Sequence, residues 1–300
     1  MLIIVDENDE NKRLDIFISE INSEFSRTKI QSFIKSGNIK INDDIKKPSY
    51  ILKEGDKIDF VVPEICDIQI KPQNIPIDIV YEDENMLVVN KPSGMLTHPT
   101  ILEKENTLVN ALLYKYGNNL SDINGEYRRG ILHRLDRNTS GLLMIAKNNL
   151  AHEYLANQIK LHSITKKYRA IVKGKIEENE IKLDLPIGRN PNQPHKMMVR
   201  DDGKPSETHV KVLERFNDST YIELNLITGR THQIRVHMKY INHPVYNDSL
   251  YGAGSSKVKT EEQVLQSFYL RFTKPFDGEI IELQIEPDEK IKKVLKYLRS

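Results

Sequence analysis

Between Gly130 and Leu142 the chain reads Gly-Ile-Leu-His-Arg-Leu-Asp-Arg-Asn-Thr-Ser-Gly-Leu, with one acid, Asp136, set among His133, Arg134 and Arg137. A carboxylate beside fixed positive charge stays ionised and can be aimed at a substrate, a constraint that one in bulk water usually lacks. Taken alone, an Arg-x-Asp-Arg loop is more often a surface ion-pair cluster than a catalytic one. A second concentration of polar groups, Thr228-Gly-Arg-Thr-His-Gln-Ile-Arg-Val-His237, follows a strand-like run from Tyr221 to Ile227. Gly229 permits the turn, Thr231 is placed to cap the next helix, and Arg230 falls at a strand end beside a helix N-terminus, where anions are favoured. His232 and His237 do not have the HExxH spacing, so no metal site is expected.

These groups need a scaffold, and the apolar spacing indicates one. Thr139, Ser140 and Gly141 read as loop before Leu142 to Ala146 resumes as a buried strand. Ile77 to Tyr81 and Met86 to Val89 flank the acidic turn Glu82-Asp83-Glu84 as a hairpin. Thr107 to Tyr116 is predicted as a helix stopped by Gly117, and Leu150 to Leu161 as another with Ala151, Tyr154, Leu155 and Ile159 inward. Thr165 to Val172 is a strand carrying Tyr168, a position where the ordinary role is core packing. Asp184 to Val199 lacks periodicity and reads as a basic loop; Ile280 to Ile285 is a closing strand and Asp288 to Leu298 a terminal helix.

Upstream, Leu14, Phe17, Ile18 and Ile21 form the stripe of a first helix. Ser26 or Thr28 is placed to cap a second, which Gly37 ends, and strands at Asn38 to Asn42 and Ile58 to Val62 complete a small module. Pro63, Pro72 and Pro76 then mark an extended linker. At 300 residues with net charge +1, the chain has room for a full core and a second small domain, and its charge alone argues neither for nor against nucleic acid. Cys66 is the single cysteine, a small apolar filler that excludes an internal disulfide or a zinc cluster. No apolar run spans a bilayer and the start lacks a signal peptide, which makes a cytoplasmic location the expectation.

His-Arg-Leu-Asp-Arg followed by Thr-Ser-Gly-Leu closely resembles the active-site motif of the RluA type of pseudouridine synthases. Lys91-Pro-Ser-Gly, Lys166-Lys-Tyr-Arg-Ala and the Thr228 segment match the other motifs of that family. Asn138 and Gln266 depart from it, at positions where many members have an acid and a histidine. Arg-Leu-Asp, Ser-Arg-Thr-Lys-Ile-Gln and Ile-Lys-Ser-Gly-Asn-Ile-Lys-Ile-Asn, near the N-terminus, resemble the S4 RNA-binding domain. The resemblance implies an α+β fold on a mixed, mainly antiparallel sheet: an S4 module at residues 1–66, a linker at 67–76 and a catalytic domain at 77–300.

It further implies that Asp136 is catalytic and that Arg230 is set against it. Tyr168 is then the platform for the target base, with removal of the base proton as a second role open to it. Lys91 and His98 serve as structural support. Arg13, Arg27, Lys29 and Lys35 would contact RNA phosphates, with Arg134 and Arg137 doing so beside the acid. The implied substrate is a uridine of large-subunit ribosomal RNA, with transfer RNA as the alternative, handled by a monomer without cofactor or metal. Whether Asp136 attacks the sugar or removes a sugar proton stays open. Two rivals are a silent S4-type RNA-binding or assembly protein, disfavoured by the intact Asp136, Tyr168 and Arg230, and a glycosidic hydrolase, which wants a second carboxylate.

Overall fold

The computed structural model describes every residue except Met1, Asn8, Ser23, Glu24, Ser26, 62–69, Ile101, 253–256 and Glu261, and the side chains of Thr28 and Lys29. The Ser26 or Thr28 cap, the Lys29 contact, Cys66 and the start of the 67–76 linker therefore lie outside the described residues. The chain divides into two compact units, Met1–Ile68 and Gln69–Ser300.

In the first unit, β1 (Leu2–Ile4), α1 (Leu14–Ile21), α2 (Arg27–Lys35), β2 (Ile39–Ile41) and β3 (Lys57–Phe60) build a three-stranded antiparallel sheet, ordered β1-β3-β2, against two helices. Leu14, Phe17 and Ile18 of α1 and Ile30, Phe33 and Ile34 of α2 pack with Ile39, Ile41, Ile58 and Phe60. Ile21 is exposed, so the expected α1 stripe ends a turn early, where Asn22 leaves the helix. Strand β1 has no counterpart among the expected elements: three residues with both leucine and isoleucine ends exposed carry no alternation to detect. Asp15 is fully buried and gathers Arg13 Nε (3.0 Å), Arg27 Nη2 (2.9 Å) and Gln31 Nε2 (2.6 Å).

The second unit follows in chain order as β4 (Asp78–Glu82), β5 (Met86–Lys91), α3 (Leu108–Tyr116), β6 (Ser140–Ala146), α4 (Asn149–Lys160), β7 (Thr165–Lys173), β8 (Glu180–Asp184), β9 (Ile187–Arg189), β10 (Met197–Val199), β11 (Glu207–Arg215), β12 (Ser219–Leu226), α5 (Gln233–Tyr240), β13 (Leu265–Thr273), β14 (Ile280–Gln284) and α6 (Glu289–Leu298). Among the described residues its main sheet runs β4-β5-β6-β13-β7-β12-β11-β8, and β14 joins β13. Every pairing is antiparallel except β13 with β6, which makes the sheet mixed and mainly antiparallel, as expected.

Strand β6 explains its own sequence. Leu143 and Ile145 pack with Leu108, Leu112 and Ile234 on one face, while Leu142 and Met144 pack with Leu155 and Phe272 on the other. A strand covered on both faces reads as an unbroken apolar run. It begins at Ser140, two residues earlier than expected. Gly141, with φ +114°, lets β13 lie beside it, because a Cβ there would come within 1.9 Å of the Ser267 carbonyl oxygen. Helix α3 is capped by the reciprocal Thr107 and Asn110 bonds of a capping box.

Two expectations are corrected. On α4 the buried residues are Ala151, His152, Leu155 and Gln158, and Tyr154 is exposed; Gln158 faces in because its amide bonds the Thr273 backbone at both ends. Residues 184–199 are not a featureless loop but hold the antiparallel pair β9 and β10, whose three-residue strands are too short to show a period. No helix among the described residues is long and apolar enough to cross a membrane.

Candidate active site

The Asp136 loop links Gly130 to β6, and its backbone is held by side chains that come from far along the chain. Thr97 Oγ1 donates to the Leu135 carbonyl (2.9 Å), Lys91 Nζ to Arg137 O (3.0 Å), and Ser93 Oγ to Asn138 O (3.0 Å). Lys91 is fully buried and also donates to Pro92 O and Met95 O at 2.8 Å each. Burial, helped by the Lys290 cation, pushes its pKa down to about 7. The three carbonyls oppose that shift, since together they use all three ammonium protons. The Lys91-Pro-Ser-Gly segment thus supports the loop through its backbone.

Not all of the neighbouring cations serve Asp136. His133 accepts from the Met144 backbone N–H through Nε2 (3.1 Å), and burial drives its pKa down to about 3, so it is a neutral strut. Arg137 pairs with Glu103. Arg134 lines the cleft in which Asp136 sits.

Arg230, expected to pair with Asp136, does not. It lies in the turn before α5, its backbone N–H bonded to Gln233 Oε1 (2.9 Å) and its Nε to Pro205 O (3.0 Å), which turns its guanidinium to the cleft mouth. The partner is Arg235, whose Nη1 donates to Asp136 Oδ2 at 2.9 Å. Arg235 is 6 % exposed and binds Asp248 with two further bonds, Nε to Oδ2 (2.7 Å) and Nη2 to Oδ1 (2.9 Å). Burial works against its charge, but the Asp248 and Asp136 carboxylates hold its pKa above the usual arginine value. Asp248 is kept below the usual carboxylate range: burial opposes this, and Arg235 together with the N–H groups of Leu250 and Tyr251 outweighs burial.

Thr231 does not cap α5. The N-cap position belongs to His232, in the left-handed conformation (φ 57°), while buried Gln233 ties the turn to Thr228 and to the backbone of β11. This geometry brings His232 Nδ1 to 2.8 Å from the Tyr251 hydroxyl and Nε2 to 3.9 Å from Asp136 Oδ1. Burial lowers its pKa, against the pull of Asp136. Arg235 stood in the quoted motif five residues beyond Arg230, and a helix with Ile234 and Met238 inward was the signal that could have found it. No motif pointed to Asp248 or Tyr251.

Tyr168, Leu226 and Leu265 complete the cleft. Tyr168 is 6 % exposed, and burial pushes its hydroxyl up to about 12, so it is protonated at neutral pH. A neighbouring depression shares Gly229, Arg230 and Thr231 with the cleft and adds Arg189 and Lys204. In the first unit, Arg13 and Arg27 are half exposed and spend much of their hydrogen bonding on Asp15, whereas Lys35 is exposed at the end of α2. No group of three or more His, Cys, Asp or Glu among the described residues is placed to hold a metal ion.

The family model for RNA pseudouridylate synthases matches residues 85–240, and that of the S4 domain residues 12–58. The chain is 41 % identical over 298 residues to YlyB of Bacillus subtilis, an uncharacterized RNA pseudouridine synthase, covering 99 % of this chain and 98 % of the relative. It is 36 % identical to the ribosomal large subunit pseudouridine synthase D of Zymomonas mobilis, over 95 % of this chain and 93 % of the relative. Among solved structures it is similar to human RNA pseudouridylate synthase domain containing 1, with a TM-score of 0.59 and 28 % identity, over 76 % of this chain and 96 % of that one.

Proposed function

The chain belongs to the RNA pseudouridylate synthase family, and we propose that it isomerises specific uridines of large-subunit ribosomal RNA with Asp136 as the catalytic carboxylate. One observation carries the assignment of Asp136: its carboxylate is held by Arg235 at 2.9 Å in a cleft bordered by the Tyr168 ring.

Uridine becomes pseudouridine when the C1′–N1 bond breaks, a C1′–C5 bond forms, the C5 proton leaves to solvent and N1 gains a proton. The reaction is an isomerisation with no net redox change, so side chains that place charge and exclude water suffice. Arg235 occupies Asp136 Oδ2 and fixes the carboxylate rotamer; Oδ1, which accepts no hydrogen bond among the described residues, is left for the sugar. From that oxygen Asp136 acts either as a nucleophile at C1′ or as a base toward a neighbouring sugar proton, and both roles require the same placement. Tyr168 offers a ring on which an extruded base stacks. With its hydroxyl protonated, the ring serves binding better than it serves proton removal.

Arg134 and Arg230 line the cleft, Arg189 and Lys204 the neighbouring depression, and Arg137 a separate depression beside Glu103; these cations meet the flanking phosphates. The S4 module (residues 1–66 in this reading) adds Arg13, Arg27, Lys29 and Lys35, while residues 77–300 do the chemistry. Relatives named for the large ribosomal subunit support that substrate. In this reading the enzyme works as a monomer, in the cytoplasm, on its RNA.

Carbodiimide-dependent reverse-transcription stops, mapped on ribosomal and transfer RNA from cells with and without the gene, test the substrate. The expected result is loss of defined stops in large-subunit RNA that the wild-type gene restores and Asp136→Asn does not. Loss confined to transfer RNA would overturn the substrate while leaving the reaction.

A further inference from the structure

The Asp136 loop is held before the acid by Thr97, which bonds Leu135 O, and after it by Lys91 at the end of β5 and by Ser93, which bond Arg137 O and Asn138 O; its carboxyl side also meets the other end of the chain. The segment entering α6 is first anchored to β13: Gln266 Oε1 accepts from Asp288 N–H (3.2 Å) and Gln266 Nε2 donates to Glu286 O (3.1 Å). From there Asp288 caps α6 with one carboxylate oxygen, bonded by Ile291 N–H (3.0 Å), and accepts from Ser140 Oγ with the other. Two residues on, Lys290 Nζ donates to Asn138 O (2.9 Å), Gln263 O (3.0 Å) and Ser93 Oγ (3.0 Å).

We propose that Lys290 is a positioning residue for the isomerisation, fixing the carboxyl side of the Asp136 loop from the terminal helix. The proposal rests on the assignment of Asp136 above. Asn138 lies two residues beyond Asp136, and its carbonyl takes both Ser93 and Lys290. Removing the ammonium group leaves the loop tethered by Lys91 and Thr97, so the fold survives while the carboxylate gains freedom to shift. A displacement of about 1 Å at a reacting group costs on the order of a hundredfold in rate. Gln266, the departure from the family pattern, takes part in this brace as the anchor for residues 286–288.

The test compares Lys290→Met, Lys290→Arg and Lys292→Met in the full chain. Lys292 pairs with Glu289 on the outer side of α6 and serves as the control. Tritium release from RNA labelled at uridine C5 is followed under single-turnover conditions, together with RNA affinity and Tm. Lys290→Met should lose about tenfold or more in rate constant with RNA Kd within about twofold of wild type, Lys290→Arg should recover most of that loss, and Lys292→Met should match wild type. A wild-type rate in Lys290→Met, or a rate loss no larger than the loss in RNA affinity, overturns the proposal. If Lys290→Met melts below the assay temperature, Lys290→Gln decides by the same two outcomes. Turnover by Asp136→Asn in the same assay would instead remove the assignment on which the proposal rests.

Discussion

Arg235 serves two carboxylates at once, and the two uses differ. Asp248, fully buried, engages it with a bidentate pair that fixes the plane of the guanidinium; the remaining Nη1 then has one direction to point, toward Asp136. On this account Asp248 is a positioning residue that acts through Arg235. Asp248→Asn should lower the single-turnover rate constant about tenfold to a hundredfold with RNA Kd unchanged, and cost about 2 kcal/mol in a urea melt. An equal loss of RNA affinity would place Asp248 in binding instead. Both arginines of Thr-Gly-Arg-Thr-His-Gln-Ile-Arg-Val-His were visible in the sequence, but which one meets the acid depends on where α5 starts and how His232 enters it. That start is set by buried Gln233 and its tertiary partners, which no local spacing reveals. His133 misleads for a similar reason: its charge is removed by burial against β6, a long-range fact.

Secondary structure was legible where burial imposed a period. Helices α1, α3 and α5 and strands β5 and β6 all carry stripes or runs that report the faces they cover. Strands β8, β9 and β10 are short and partly exposed, and β13 is shared between β6 and β14 along its length, so none announces itself. At this scale the α1–α2 pair hangs on one acid. Asp15 has a pKa lowered to about 2: burial alone would raise it, and the bonds from Arg13, Gln31 and Arg27 more than compensate. A folded-state pKa below the unfolded value near 3.8 means that its contribution is complete above about pH 4 and is lost as pH falls through about 2. The stability difference between wild type and Asp15→Asn, from acid-range urea melts followed by circular dichroism, should be about 2 kcal/mol at neutral pH and vanish near pH 2. A difference independent of pH would show that the Asp15 hub contributes nothing through its charge.

For the molecule as a whole, a net charge of +1 conceals its distribution. Acids offset the exposed bases of the first unit, while the cleft in the second is ringed by Arg134, Arg230 and Arg235 with one acid at its base. The proline-marked stretch gave the expectation of a module at 1–66, a linker at 67–76 and a domain at 77–300; the chain divides at Ile68, and the S4 and synthase matches fall one on each unit. What could not be read is that the last helix returns to brace the first motif, because Lys290 and Ser93 are nearly 200 positions apart, a separation printed only in the fold.

The central claim is that Asp136, aimed by Arg235, turns uridine into pseudouridine. The most direct measurement is tritium release to solvent from ribosomal RNA labelled at uridine C5, wild type against Asp136→Asn, with both shown to bind the RNA. The wild type is expected to release tritium and Asp136→Asn to release none at equal RNA affinity. Release by Asp136→Asn at the wild-type rate would contradict the claim.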